Sequence, residues 1–461
     1  MMCECIYEME SAMTNQEEKK QFYRTAFALV IPMAVQNLIN VAVQSADVIM
    51  LGKLNEEALT ASSLAGQIQF VMMLLIFGLS SGTSVLTAQY WGKEDRDTIG
   101  KILGMAIRIS MAIALIFFLA AELFPEFLMR IFSPDDHIVA LGAEYLRFVA
   151  PNYLFVGFTS LYLGIMRSVE RVKIATIVFL ISLCVNIILN AVFIFGLLGF
   201  PAMHLKGAAL ATSLSRLIEF LIVAVYAKRN TVISLKKKYF ISFDKLLFKD
   251  FLHCAGPTTI NELLWGSAIA MNAVIIGHMG ISAVSANSVA QVTRQLANVV
   301  SFGIANATAV LLGKAIGAGK VETAKLIASR MIRTGMICSL AGGSLILILR
   351  PLISMLMNLK SEANDYLLFL LLVMSVYVMA QTYSAILIVG VCRGGGDTKF
   401  GMYLDLFVMW VCCILPASLG AFVFHLPVKI IYLIMMADEF IKIPFCLIRY
   451  KKKLWLQNLT R

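Results

Sequence analysis

The sequence predicts an all-α polytopic membrane protein with twelve transmembrane helices in two pseudo-symmetric six-helix lobes. Three observations carry this. The 461 residues are 59% hydrophobic and only 15% charged, with a mean hydropathy of +0.82, whereas a soluble chain carries about 25% charged residues. Apolar runs of the roughly 20 residues that cross a bilayer recur from one end of the chain to the other. The second half also repeats the first at a nearly constant offset.

The runs fall at about 25–51, 58–90, 102–125, 138–166, 174–200, 207–227, 252–279, 283–312, 329–357, 363–391, 401–424 and 428–449. No stretch alternates apolar and polar residues over about ten positions, which argues against a β-barrel. Of the 39 lysines and arginines, 28 lie in segments 19–24, 93–101, 167–173, 228–249, 314–333, 393–399 and 449–461. The opposite loops hold Lys53, Arg130, Lys206, Arg350, Lys360 and Lys429. Positive residues stay on the cytoplasmic side, so both termini are expected inside and the number of spans is even. The net charge of +11 then reads as a face toward anionic lipid rather than a nucleic-acid surface.

The expected domains are an N-terminal cytoplasmic segment (1–24), a first lobe (25–227), a basic cytoplasmic linker (228–250), a second lobe (251–449) and a cytoplasmic tail (450–461). Residues 1–24 lack the apolar stretch and cleavage site of a removable signal. The 9 cysteines are an odd number, mostly inside apolar runs, and read as small core residues rather than a disulfide framework. Cys3 and Cys5 have no His nearby to complete a metal site.

Aligning Pro32 with Pro257 needs no gap through Thr98 and Thr323. Along it Gly52 meets Gly277, Ser63 meets Ser288, Phe77-Gly78 meets Phe302-Gly303, and Gly92 meets Gly317. One residue further out of step, "LGIMRSVERVK" (163–173) matches "VGVCRGGGDTK" (389–399), pairing Arg167 with Arg393. Both halves therefore have six spans in one orientation. Parallel repeats imply a pseudo-two-fold along the membrane normal and a cavity between lobes, an architecture suited to alternating access. No HExxH, GxSxG or Walker-type motif points to an enzyme. The glycine-rich "RGGGDTK" (393–399) follows a membrane span rather than a strand and reads as a tight cytoplasmic turn.

Charge is costly in such spans, so polar residues there are informative. In the first span Asn37, Asn40, Gln44 and Asp47 fall on one helical face, a stripe about 80° wide. An ionised Asp47 near mid-membrane costs about 2.5–3.5 kcal/mol by insertion scales. Such a group is retained when it is paired, protonated or bound to a cation. Pro32, on the same helix, removes a backbone hydrogen bond and lowers the cost of bending, as a static kink or a moving hinge. The fifth span carries Ser182, Asn186 and Asn190 on one face, and Thr212 opens the sixth. These residues either bridge helices or join Asp47 in an oxygen-rich site.

In the second half Asn272 stands where Asp47 stands in the first. Glu262 enters the seventh span instead, and the eighth carries Asn287, Gln291, Arg294, Asn298 and Ser301 within about 80° of one another. Arg294 calls for a wet cavity wall or an ion-pair partner, with Glu262 and Asp405 the nearest kinds of group. A structural Glu262–Arg294 pair is the alternative to a substrate role. Asp438 and Glu439 are adjacent, so they are expected to point in different directions, and neither is assigned a role.

Pro32 with Asp47, "NIILN" (186–190) before "GAALAT" (207–212), "PTTINELLW" (257–265) and "RGGGDTKFGMYLD" (393–405), in this order, resemble the multidrug and toxic compound extrusion (MATE) family over nearly the whole chain. The resemblance implies export of cationic, amphipathic drugs or metabolites in exchange for Na⁺ or H⁺, by a monomer in the cell membrane without cofactor or resident metal beyond a coupling Na⁺. By motif position the coupling site maps to Asp47, Asn186, Asn190 and Thr212. Family members often carry an aspartate where Asn190 stands. Glu262 lies near a second-lobe acidic position used in some branches. Asn37, Asn40, Gln44, Glu262, Asn287, Gln291, Arg294, Asn298 and Asp405 are the candidate cavity residues. Two other readings stay open. A lipid-linked oligosaccharide or peptidoglycan-precursor flippase would need a cationic groove, for which Arg294 with Arg108 and Arg216 are the candidates. A non-transporting receptor or scaffold would need no cavity with isolated carboxylates.

Overall fold

Hydrophobic runs this long have one way to satisfy their backbone in a bilayer, the helix, and the computed structural model follows that rule. It describes residues 2–52, 56–230, 232–233, 236–241, 244–357 and 360–460, with side chains for all of these except 2–15, 44, 48–49, 52, 56, 198, 237 and 241. The side chains of Gln44, Cys3 and Cys5, and the whole of Lys53, therefore lie outside the described residues. Among the described residues there is no β-strand.

The first lobe contains α1 (Met2–Gly52), α2 (Glu56–Gly92), α3 (Arg96–Leu123), the short α4 (Pro125–Arg130), α5 (Asp136–Ser168), α6 (Val172–Phe195) and α7 (His204–Arg229). A five-residue α8 (Lys237–Ile241) precedes the second lobe. That lobe begins with α9 (Lys245–Gly277), α10 (Ile281–Gly317), α11 (Val321–Met357) and α12 (Ser361–Ala385). Carboxylates punctuate the chain between spans by accepting backbone N–H groups at the next helix start. Asp95 accepts from Thr98 at 3.0 Å, Asp135 from His137 at 2.8 Å and Asp244 from Leu246 at 3.0 Å.

The last three spans are irregular. Residues 386–393 continue α12 as π-helical turns, and 406–414 join α13 (Thr398–Asp405) to α14 (Leu415–Phe422) in the same form. The run expected as one helix at 428–449 is broken into α15 (Val428–Met435) and α16 (Asp438–Lys451). Asp438 and Glu439 occupy the first turn of α16, where free N–H groups and the helix dipole favour negative charge. Eleven other helices among the described residues are long and apolar enough to cross a membrane. Large apolar side chains around the circumference, such as Ile116 and Ile348, are exposed, as lipid contact requires.

The internal repeat is realised as a two-fold pairing of backbones. A side chain at Gly92 of α2 would strike the Lys314 carbonyl of α10, and one at Gly317 of α10 would strike the Gln89 carbonyl of α2. Gln89 and Lys314 are repeat mates, as are Gly92 and Gly317, so the two contacts are one contact seen twice. Gly78 on Thr259 and Gly303 on Ala34 form a second such pair. At Gly92, Gly317 and Gly78 a side chain would need the facing backbone to move, whereas at Gly303 the contact is only tight. These approaches run from the basic end of the bundle to the middle of the helices, the outermost being Leu74 of α2 against Gly266 of α9.

Polar contacts tighten the same end. Lys314 Nζ donates to both oxygens of Glu170 at 2.9 and 2.7 Å, and Trp91 Nε1 donates to Glu170 at 3.2 Å. The tail crosses from the second lobe to the first. Gln457 N donates to the Gly395 carbonyl at 2.9 Å, while Gln89 donates to the Gln457 carbonyl at 3.0 Å and accepts from Leu459 N at 2.7 Å. The segment between lobes is docked as well, through Lys238 and Tyr239 on Asp97 at 2.9 and 2.8 Å.

A Gly317→Leu variant is expected to hold the lobes apart at the basic end without unfolding either one. Trypsin cleavage after Lys314 should rise several-fold over wild type at unchanged membrane insertion. Equal cleavage of both proteins would show that the glycine contact does not set the closure.

Candidate ion and substrate sites

In the first lobe Asp47 Oδ1 accepts from Asn190 Nδ2 at 2.6 Å, Asn190 Nδ2 also reaches Asn186 Oδ1 at 3.2 Å, and Asn186 Nδ2 lies 3.5 Å from Thr212 Oγ1. Three helices thus bring four predicted residues into one polar chain. Asp47 sits on α1, the asparagines one turn apart on α6, and Thr212 on α7. Asp47 is half-buried, while Asn186 and Asn190 are 2% and 0% exposed. Asn190 Oδ1 has no hydrogen-bond partner among the described residues. An ionised carboxylate with amide oxygens and a hydroxyl around it is a donor set for a hard cation such as Na⁺, or a place to hold a proton. Arg216 acts on Asp47 electrostatically, and the charge of Asp47 reaches Tyr145 on α5; Arg216 is itself bonded to the buried Glu219 at 2.7 Å. Sequence reading missed Tyr145, because nothing local ties α5 to α1.

Pro32 lies below this site on α1, and its carbonyl accepts from Thr176 Oγ1 at 3.3 Å. Gln36 donates to Thr176 at 2.9 Å and accepts from Arg167 at 3.3 Å. Asn37 donates across the interface to the Val299 carbonyl of α10 at 3.2 Å, and Asn40 is exposed. The stripe on α1 therefore faces α6 at its outer end and α10 lower down.

In the second lobe the expected partner of Glu262 is corrected. Glu262 Oε1 accepts from Arg393 Nη1 at 2.9 Å, and the same guanidinium donates to Ser81 Oγ of the first lobe at 2.9 Å. Arg393 is only 5% exposed; the π-helical end of the tenth span carries it inward, out of the loop to which its charge was assigned. Its repeat mate Arg167 braces α1 in the same way through Gln36, so the alignment of the two arginines held the signal. Arg294 is half-buried and forms no ion pair among the described residues. Its neighbours by charge are Tyr377 and Tyr432.

Two expected cavity residues instead turn into the lobe. Asn298 is buried against α12, donating to Gln381 Oε1 at 2.6 Å. Asp405 is buried and paired with Lys442 at 2.8 Å. Only part of the α10 stripe can face the interface, because an 80° stripe on a packed helix spans two neighbours. Asn287 and Gln291 stay half-buried. The expectation that Asp438 and Glu439 diverge is also corrected. Both reach Lys442, at 3.2 and 3.5 Å, because helical spacings of four and three residues both bring side chains together.

Two lobes of parallel six-span repeats, with isolated carboxylates on polar helix faces, define an internally repeated membrane transporter. A family model described as MatE matches residues 32–192 and 257–419, two blocks that start at the aligned prolines; the chain belongs to the MATE family. Among curated relatives it is 22% identical to the probable multidrug resistance protein YoeA of Bacillus subtilis (strain 168), over 87% of each chain. It is 24% identical to the multidrug resistance protein MdtK of Photorhabdus laumondii, covering 84% of this chain and 85% of that one. The fold matches a solved MOP superfamily transporter from Pyrococcus furiosus with a TM-score of 0.85 at 21% identity, over 93% and 95% of the two chains.

Replacing Glu262 by Gln leaves Arg393 buried without a counter-charge, a loss of about 3–5 kcal/mol for a broken buried pair. The variant should melt well below wild type. A Glu262→Met/Arg393→Met double variant, which removes both charges, should regain most of the difference. A double variant as unstable as the single one would mean that the pair does more than neutralise itself.

Proposed function

We propose that the protein is a cation-coupled antiporter that exports cationic, amphipathic drugs or metabolites, alternating access between its lobes. The observation that carries this is the Asp47–Asn190–Asn186–Thr212 chain: one carboxylate, with an oxygen shell that suits Na⁺ or H⁺, on the helix that also carries Pro32. The names of the resistance-protein relatives support the drug class. Closure at the basic end, taken as cytoplasmic by the positive-inside rule, supports a cavity open to the outside. A cation entering from there neutralises Asp47, lets α1 rearrange above Pro32 and weakens substrate binding. The coupling follows because ion and substrate favour different states of one element. A flippase for anionic lipid-linked precursors is less well supported, since Arg216, one of its candidate groove cations, is bonded to Glu219 and Asp47 opposes an anion.

Asp47→Asn fixes the neutral state and should abolish concentrative ethidium export from proteoliposomes, at wild-type folding, with either ΔpH or ΔNa⁺ imposed. Asn190→Asp should change which gradient drives export. Continued pumping by Asp47→Asn protein would make the carboxylate structural.

Pro32→Ala restores the backbone donor and should slow turnover at matched expression while leaving the melting temperature unchanged or higher. Wild-type turnover would favour a static kink.

A further inference from the structure

Lys442 lies inside the second lobe, 2% exposed, with three carboxylates around it: Asp405 at 2.8 Å, Asp438 at 3.2 Å and Glu439 at 3.5 Å. All three are buried, at 6%, 5% and 6% exposure. They come from two elements, since Asp405 ends α13 while the other two open α16 one turn before Lys442. One ammonium against three ionised carboxylates leaves a net excess of two negative charges in a membrane interior, where unpaired charge is strongly unfavourable. The other groups facing the cluster do not supply the missing positive charge. Tyr377 on α12, Cys413 in the π-helical stretch of the eleventh span and Cys446 on α16 are neutral at rest. Glu262 on α9 is already paired with Arg393, and the charge of Arg294 on α10 falls on Tyr377 and on Tyr432 of α15, with no ion pair from it to the three carboxylates among the described residues. Asp438 Oδ1, buried with its residue, has no hydrogen-bond donor among the described residues. Some of the excess must be removed by an ion. Among the described residues no three His, Cys, Asp or Glu side chains stand close enough to share a metal, and Lys442 Nζ already occupies the centre.

We propose that this cluster is a proton-binding site of the second lobe, with Glu439 as the group that takes the proton and Ser384, Gln381 and Asn298 as the relay that reports it to α10. Glu439 is the carboxylate farthest from the ammonium, and its Oε2 touches the hydroxyl of Ser384. That hydroxyl has a second neighbour, the Gln381 carbonyl at 3.2 Å. A serine has one proton to donate. When Glu439 is ionised, Ser384 donates to it; when Glu439 is protonated, its O–H donates to Ser384 Oγ, and the serine proton turns to the Gln381 carbonyl. The side chain of Gln381 holds Asn298 at 2.6 Å, and one residue on, Thr382 meets Ser301 at 2.7 Å. Both partners belong to the polar face of α10. The relay also sits where α12 passes into π-helical turns, a form that often marks functional positions. The site deepens the export reading by giving the second lobe its own titrating group, although protonation itself needs no substrate.

The test is infrared pH-jump spectroscopy of the full-length protein in detergent, following the C=O stretch of protonated carboxyl groups. Asp47→Asn protein should retain a titrating band from a carboxyl shielded from solvent, and Asp47→Asn/Glu439→Gln protein should lose it. Glu439→Asp, which keeps a carboxyl but moves it from Ser384, should keep the band at a shifted frequency, and it serves if the glutamine variant does not fold. A band unchanged by Glu439→Gln, or absent from Asp47→Asn protein, overturns the proposal. Neither result bears on the export reading, which fails separately if Asp47→Asn protein still pumps ethidium.

Discussion

The cost of leaving charge unpaired inside a bilayer governs how this molecule is built. Several ionisable groups deep in the bundle have been brought to a partner from another helix or another turn. Asp47 meets two asparagines on α6, Glu262 meets Arg393 from the end of the tenth span, and Lys442 gathers carboxylates from α13 and α16. The irregular backbone follows from the same constraint. The break between α15 and α16 gives Asp438 and Glu439 a helix start, and the π-helical turns carry Arg393 inward to Glu262 and Ser81.

A second constraint, close packing of identical elements, sets how the lobes meet. With little hydrophobic drive between helices in lipid, association relies on backbone approach through small residues. Gly92 and Gly317 provide it twice, about the pseudo-two-fold that the repeat created. Ion pairs and the tail then fasten the end that the glycines bring together. Polar sites stand above this seam in the first lobe and beside it in the second, so the buried polar groups and the lobe contact share the helices α1 and α10.

The division between what was legible and what was not follows range. Helical spacing put Asn186 and Asn190 on one face, but the residues alone left helix bridging open, and only the family resemblance joined them and Thr212 to Asp47. The Arg393–Glu262 pair was not read, although the alignment of Arg167 with Arg393 carried a hint, since the arginine sits in a glycine-rich stretch that looks like an exposed turn. Lys442 was overlooked despite standing three and four residues from Glu439 and Asp438. Adjacent carboxylates suggested divergence; their common partner lies a turn ahead.

The sequence alone determined the class of fold, the repeat, the candidate carboxylates and the side on which positive charge gathers. Hydropathy, spacing and composition act locally along a chain whose backbone must be helical in lipid. Which polar groups touch was decided only by the tertiary structure. Helix rotation, a π-helical shift or a break of two residues redirects a side chain by a quarter turn or more, and those adjustments answer to neighbours far away in sequence. Asp405 and Asn298 show the difference, because each was a candidate cavity residue and each is turned into the lobe by a partner on another helix.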